Sequence, residues 1–153
     1  MRYEYIEPFM KSTIEVISKT IQSEISKGDI VLIEHNEIND DVAIVIKIAG
    51  DSEGGIILTM DTVTAIKISN RILKENFEML TPLCLDSLAE IANTITGNAI
   101  SLINDMGYDI RTNPPLILVK DNGVKNIFNV EIFCVPIFTR DGDITMNIAL
   151  RTN

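Results

Sequence analysis

Glu90, Asn93 and Gly97 follow one another at steps of three and four in "LDSLAEIANTITGNAISLI" (85–103). A carboxylate can pair with a cation. A carboxamide donates and accepts hydrogen bonds at once. On a helix, at about 100° per residue, Asp86, Glu90, Asn93, Gly97 and Ser101 share one side. Glu90 and Asn93 then project as neighbours, with roughly 5–6 Å between their Cβ atoms. Glycine inside a helix costs about 1 kcal/mol relative to alanine, and a solvated face gains nothing from it. Close approach by another molecule would explain its presence.

The pair is weak on its own. With eleven Glu and thirteen Asn in 153 residues, about one Glu-x-x-Asn is expected by chance, and the chain has one. Other chemistry is thin. The single histidine, His35, sits between Glu34 and Asn36, a context that fits a surface strand end. A zinc site would need His or Cys clusters at short spacing, and none is present in the sequence. Cys84 and Cys134 lie far apart in apolar surroundings, which points to reduced, buried thiols in a cytoplasmic protein. "GDSEGG" fits neither a phosphate-binding loop nor a dinucleotide turn, and no nucleophile elbow occurs. Asp40 and Asp41 fall in turn sequence, where solvation accounts for them. The working residues must therefore be amides, hydroxyls and carboxylates, with any metal supplied by a partner.

The elements that must position them are legible as patterns. Glu7-Pro8 opens a helix whose stripe of Met10, Ile14, Ile17, Ile21 and Ile25 runs to Lys27-Gly28. "DIVLIEH" (29–35) reads as a strand, followed by a polar turn. "VAIVIKIAG" (42–50) and "GGIILTM" (54–60) form a hairpin about "DSEG". Asp61 caps a second helix reaching about Leu73. The third helix runs from near Leu83 to Met106-Gly107, with Leu88, Ile91, Ala92, Ile95, Ala99, Leu102, Ile103 and Met106 as its core face. "TNPPL" breaks the chain. "LILVK", "NVEIFCVPIF" and "ITMNIALR" follow as strands, the last two joined at "RDGD". The order α-β-β-β-α-α-β-β-β predicts a single α+β domain spanning 1–153. Its sheet should be mixed and mostly antiparallel, of about six strands, with long helices packed on one face. The helix-then-strands order occurs twice, loosely, as in a pseudo-repeat.

Composition narrows the partners. Hydrophobic residues make up 46% and charged residues 23%, so the chain is globular. A net charge of −9 disfavours nucleic acid and an anionic membrane surface. The charged opening "MRYEYIE" does not read as a signal peptide, and no apolar run approaches the ~20 residues of a membrane span.

The run "EIANTITGNA" resembles the helix motif of the CheC/CheX family, phosphatases acting on phosphorylated CheY-like response regulators in bacterial chemotaxis. The family pattern is Glu, two residues, Asn, three residues, Gly, then Asn-Ala, and Glu90, Asn93, Gly97, Asn98 and Ala99 match it. "IAGDSEGGIILTMDTVTAIKI", "NPPLIL" and "VPIF…ITMNIAL" resemble the family's hairpin-plus-helix, the segment after the motif helix, and the closing hairpin. The first helix carries no Glu-x-x-Asn, which favours CheX over the two-motif CheC type. The resemblance implies that Asn93 positions water against an aspartyl phosphate. It implies that Glu90 pairs with a lysine of the regulator, and that Gly97 lets the regulator close over the helix, with Asp86 on the same contact face. It also implies a homodimer, no cofactor on this chain, and Mg²⁺ held by the partner. The competing expectations are a non-catalytic regulator-binding or flagellar-switch-like module, and lastly a purely structural homodimer.

Overall fold

A computed structural model describes residues 5–33, 40–119 and 131–152. Their elements run α1 (Ile6–Ile21), β1 (Ser26–Lys27), β2 (Val31–Ile33), β3 (Val42–Gly50), β4 (Ser52–Met60), α2 (Thr62–Leu73) and α3 (Pro82–Asp105). Four strands follow: β5 (Ile110–Thr112), β6 (Leu116–Val119), β7 (Ile132–Thr139) and β8 (Gly142–Thr152). The α+β class holds. The sheet has eight described strands rather than about six, and every described pairing is antiparallel.

The two extra strands come from edges that are each broken once. Val42–Val45 of β3 pairs with β6 and Ile48–Gly50 pairs with β5, so Ile46 and Lys47 face Asn113, Pro114 and Pro115. The proline pair thus forms a bulge with one extra residue. On the opposite edge β7 pairs with β1 and then β2, and Gly28, Asp29 and Ile30 face only Val135 and Pro136. Bulges of this kind twist an edge and blunt it against further strand pairing.

The first helix is shorter than its stripe predicts. It stops at Ile21 because Gln22 turns left-handed, at φ 52°, and closes the last turn on the Ser18 carbonyl. Ile25 therefore lies beyond the helix, and Ser26–Lys27 is strand. The other helix starts follow the sequence closely. The Asp61 side chain accepts from Thr64 N–H at 2.7 Å, and the Thr81 hydroxyl accepts from Cys84 N–H at 3.2 Å just before Pro82. His35 and most of the turn after it lie outside the described residues, as does Asn129–Val130 of the strand read as "NVEIFCVPIF".

All three helices lie on one face of the sheet. Ile44, Ile46, Ile48, Ile56, Leu58, Ile144, Met146 and Ile148 meet Phe9, Ile17, Ile68, Leu88, Ile95 and Ile103 in one core. The other face carries a small cluster of Ala43, Val45 and Ile57, with Leu118 against it. The central hairpin is thus buried on both sides, which is why β3 and β4 read as continuous apolar runs rather than alternating ones. Gly54 is fixed by β8. Its φ is +134°, and a Cβ there would sit 1.8 Å from the Ala149 carbonyl oxygen.

The spatial order β1/β2–β7–β8–β4–β3–β5/β6 is a palindrome: each hairpin is edged by strands from the other half of the chain. The loose repeat seen in the sequence has this geometric counterpart, with α1 in the place that α3 holds in the second half. Among the described residues no helix is long and apolar enough to cross a membrane.

Candidate functional site

α3 has 24 residues, about 36 Å of helix. Its inner face buries Leu88, Ile91, Ala92, Ile95, Ala99 and Ile103, as the stripe predicts. Leu102 and Met106 depart from it, at 39% and 50% exposure. α1 runs antiparallel to α3: Ser12 Oγ donates to the Ile95 carbonyl at 2.7 Å, while Thr20, later in α1, faces Ser87 and Glu90, earlier in α3. Leu102 and Met106 belong to the end of α3 where α1 only begins, and Met106 has already left helical geometry at ψ 2°.

The outer face carries Asp86, Glu90, Asn93, Gly97 and Ser101, all exposed. The Glu90 and Asn93 side chains make no hydrogen bond or ion pair with any described residue. The fold therefore leaves both groups free for an external molecule. A Cβ built on Gly97 would meet nothing within 4 Å. Nothing inside the protein asks for glycine at this position, so its helix cost has no internal compensation.

Glu90 stands on a crest. On one flank, Asp86 and Asn93 lie on the open surface. On the other, Ser87, Ile91 and Thr94 join Val16 and Thr20 of α1 and Arg71 and Ile72 of α2 around a cleft of about 350 Å³. Thr94 is the residue that the sequence reading passed over. Its hydroxyl donates to the Glu90 carbonyl at 3.0 Å, which turns the side chain back along the helix. A wheel containing all polar residues would have placed it there, but its neighbours from α1 and α2 are remote in sequence.

Arg71 is held by Asp141 in the β7–β8 turn through its Nε and, at 2.8 Å, its Nη2. The hydrogen bond from Arg71 keeps the Asp141 carboxyl below its ordinary pKa, helped by the charges of Arg71, Arg140 and Lys67. A carboxylate with a depressed folded pKa adds stability above its unfolded pKa and loses it as pH falls through the folded value. Asp141→Asn should therefore unfold at lower urea than wild type at pH 7. The gap should close as pH drops below about 4; a gap independent of pH would exclude this linkage.

Aligning Ser12 with Ser87 superposes most of the buried positions of α1 and α3: Phe9 on Cys84, Thr13 on Leu88, Ile17 on Ala92 and Ile21 on Thr96. Glu15 and Ser18 then occupy the places of Glu90 and Asn93. The palindromic fold offers two equivalent helices, and only α3 joins the carboxylate to a carboxamide. Among the described residues no group of three or more His, Cys, Asp or Glu is placed to hold a metal ion. Cys84 is buried, Cys134 is half-buried, and both are free thiols. Burial pushes the Cys134 thiol pKa up.

A chain from the crystal structure of the CheX–CheY–BeF3–Mg²⁺ complex of Borrelia burgdorferi is 28% identical, with a TM-score of 0.85 over 98% of this chain and 99% of that one. A CheC-like superfamily protein from Shewanella has the same fold, with a TM-score of 0.87 at 23% identity over 99% of both chains. The CheY-P phosphatase CheX of Thermotoga maritima is 21% identical over 149 residues, 96% of each chain. The family model described as chemotaxis phosphatase CheX matches residues 42–138, from the start of β3 through the whole of α3 into β7. With nearly two thirds of its length matched, including the helix that bears Glu90 and Asn93, the chain belongs to the chemotaxis phosphatase CheX family.

Proposed function

We propose that the whole chain, as one CheX-like domain, hydrolyses the aspartyl phosphate of a CheY-like response regulator, and does so as a cytoplasmic homodimer. The observation that carries this reading is the free Glu90–Asn93 pair on the outer face of α3, beside backbone bared at Gly97. An acyl phosphate is already reactive, so acceleration needs placement more than covalent help. The Asn93 carboxamide accepts a hydrogen bond from a water and donates one to it, holding the oxygen in line with the bond from phosphorus to the aspartate oxygen. That bond breaks as the water oxygen bonds to phosphorus. The products are inorganic phosphate and a free aspartate carboxylate. An ordered nucleophile removes part of the entropic barrier. Glu90 pairs with a lysine of the regulator and sets the register in which Asn93 works. Asp86 flanks the contact, and Mg²⁺ belongs to the regulator.

The test is phosphate loss from an excess of phosphorylated receiver domain with sub-stoichiometric protein. Multiple turnovers are expected. Loss limited to one equivalent, or a lifetime that scales with stoichiometry, would mean a binding module. In the same assay Glu90→Ala should raise KM roughly tenfold or more, because a hydrogen-bonded charge pair is lost from the contact. An unchanged KM would remove Glu90 from docking.

A further inference from the structure

The cleft beside Glu90 does not end at α3. Thr20 and Arg71 line it and also line a second, larger cleft of about 690 Å³ between the end of α1, α2 and the β7–β8 turn. The charge there runs against the rest of the molecule. The chain carries −9, yet this cleft presents Lys67, Arg71 and Lys74 against Glu75 and Asp141. Asp141 is already committed to Arg71. Lys67 and Lys74 are exposed, and their side chains make no ion pair or hydrogen bond with a described residue.

Lys67 and Arg71 stand at i and i+4 on α2, and Lys74 follows as its left-handed C-cap, at φ 54°. Lys67 and Arg71 are roughly 6 Å apart along the helix axis, and Lys74 carries the basic run past the helix end. Three cations in a run exceed what one phosphate or carboxylate can pair with, and they suit a segment that bears several acidic side chains. Arg71 is pinned at the middle by Asp141, so the stripe is partly ordered before any contact, which lowers the entropy lost on binding. The same arginine faces Glu90 across the smaller cleft.

We infer that the Lys67–Arg71–Lys74 groove is a second docking surface, which takes an acidic segment of the response regulator while α3 engages its phosphorylated site. The inference rests on the regulator reading above. The groove steers and orients the regulator, and it contributes nothing to the chemical step. Rim charges of this kind act mainly on encounter rate and salt dependence.

The experiment compares three proteins against one phosphorylated receiver domain across a salt series. They are wild type, K67E/K74E, and K27E/K47E, which makes the same change in net charge at exposed positions of β1 and β3. K67E/K74E should raise KM roughly tenfold at low salt with kcat within about twofold, and the difference should shrink as salt screens it. K27E/K47E should stay close to wild type. Equal KM for K67E/K74E and wild type, or an equal rise in both double variants, would overturn the groove. Asn93→Ala in the same series separates the two readings. If it abolishes turnover while K67E/K74E behaves as wild type, only the groove fails. If no variant, wild type included, turns over more than one equivalent, the phosphatase reading fails and takes the groove with it.

Discussion

Asn93→Ala is expected to lower stimulated dephosphorylation by roughly 100-fold or more while leaving the protein folded. The size follows from what the side chain can do. On the proposed reading the acceleration comes from an ordered water, and losing the group that orders it removes most of the effect. The intact fold follows from burial. Asn93 is exposed and its side chain bonds to no described residue, and alanine is a better helix former than asparagine. The thermal midpoint should hold steady or rise slightly, within the few tenths of a kcal/mol usual for surface changes. Binding should survive, since Glu90 and the bare backbone remain. Turnover of Asn93→Ala at the wild-type rate would eliminate the proposed role. A fall in both turnover and affinity would make Asn93 a docking residue instead.

How far this site could be read from the sequence depends on where its parts come from. The outer face of α3 is a local feature. Glu90, Asn93 and Gly97 lie within one helix, whose start is marked by Thr81-Pro82 and whose inner stripe is strong, so periodicity placed all three correctly. The central hairpin was legible for the same reason, since β-branched runs flank a glycine turn. The failures are non-local. The end of α1 depends on a left-handed glutamine, a residue with no special liking for that conformation. β1 and β5 exist because they pair with β7 and β3, and strands of two or three residues carry no period of their own. The flank of Glu90 that faces Thr94 is a cleft only because α1 and α2 supply its other walls.

The palindromic sheet gives the single motif a physical meaning. Two helices hold equivalent places over the two halves, so the fold itself permits two sites. α1 has Glu15 and Ser18 where α3 has Glu90 and Asn93, so it repeats the carboxylate without the carboxamide. α1 instead contributes Val16 and Thr20 to the wall of the α3 cleft. The spare helix thus serves as part of the surface around one site.

Gly97→Ala should separate stability from function in opposite directions. The position is helical with no positive φ, and a Cβ there meets nothing within 4 Å. Alanine therefore fits without strain and should stabilise the protein by about 0.4–1 kcal/mol, chiefly by restricting the unfolded chain. Urea unfolding would show this as a higher midpoint at unchanged slope. If the glycine is kept so that a regulator can pack against bare backbone beside Asn93, the added methyl group must displace that partner. KM should then rise several-fold, and kcat should fall as well if the displacement reaches the water, because small misplacements cost rate steeply. A variant that is more stable and equally active would mean that Gly97 serves no contact. A less stable variant would mean that the helix is strained there in a way its geometry does not reveal. Only a gain in stability joined to a loss in turnover fits a residue whose cost is offset outside the chain.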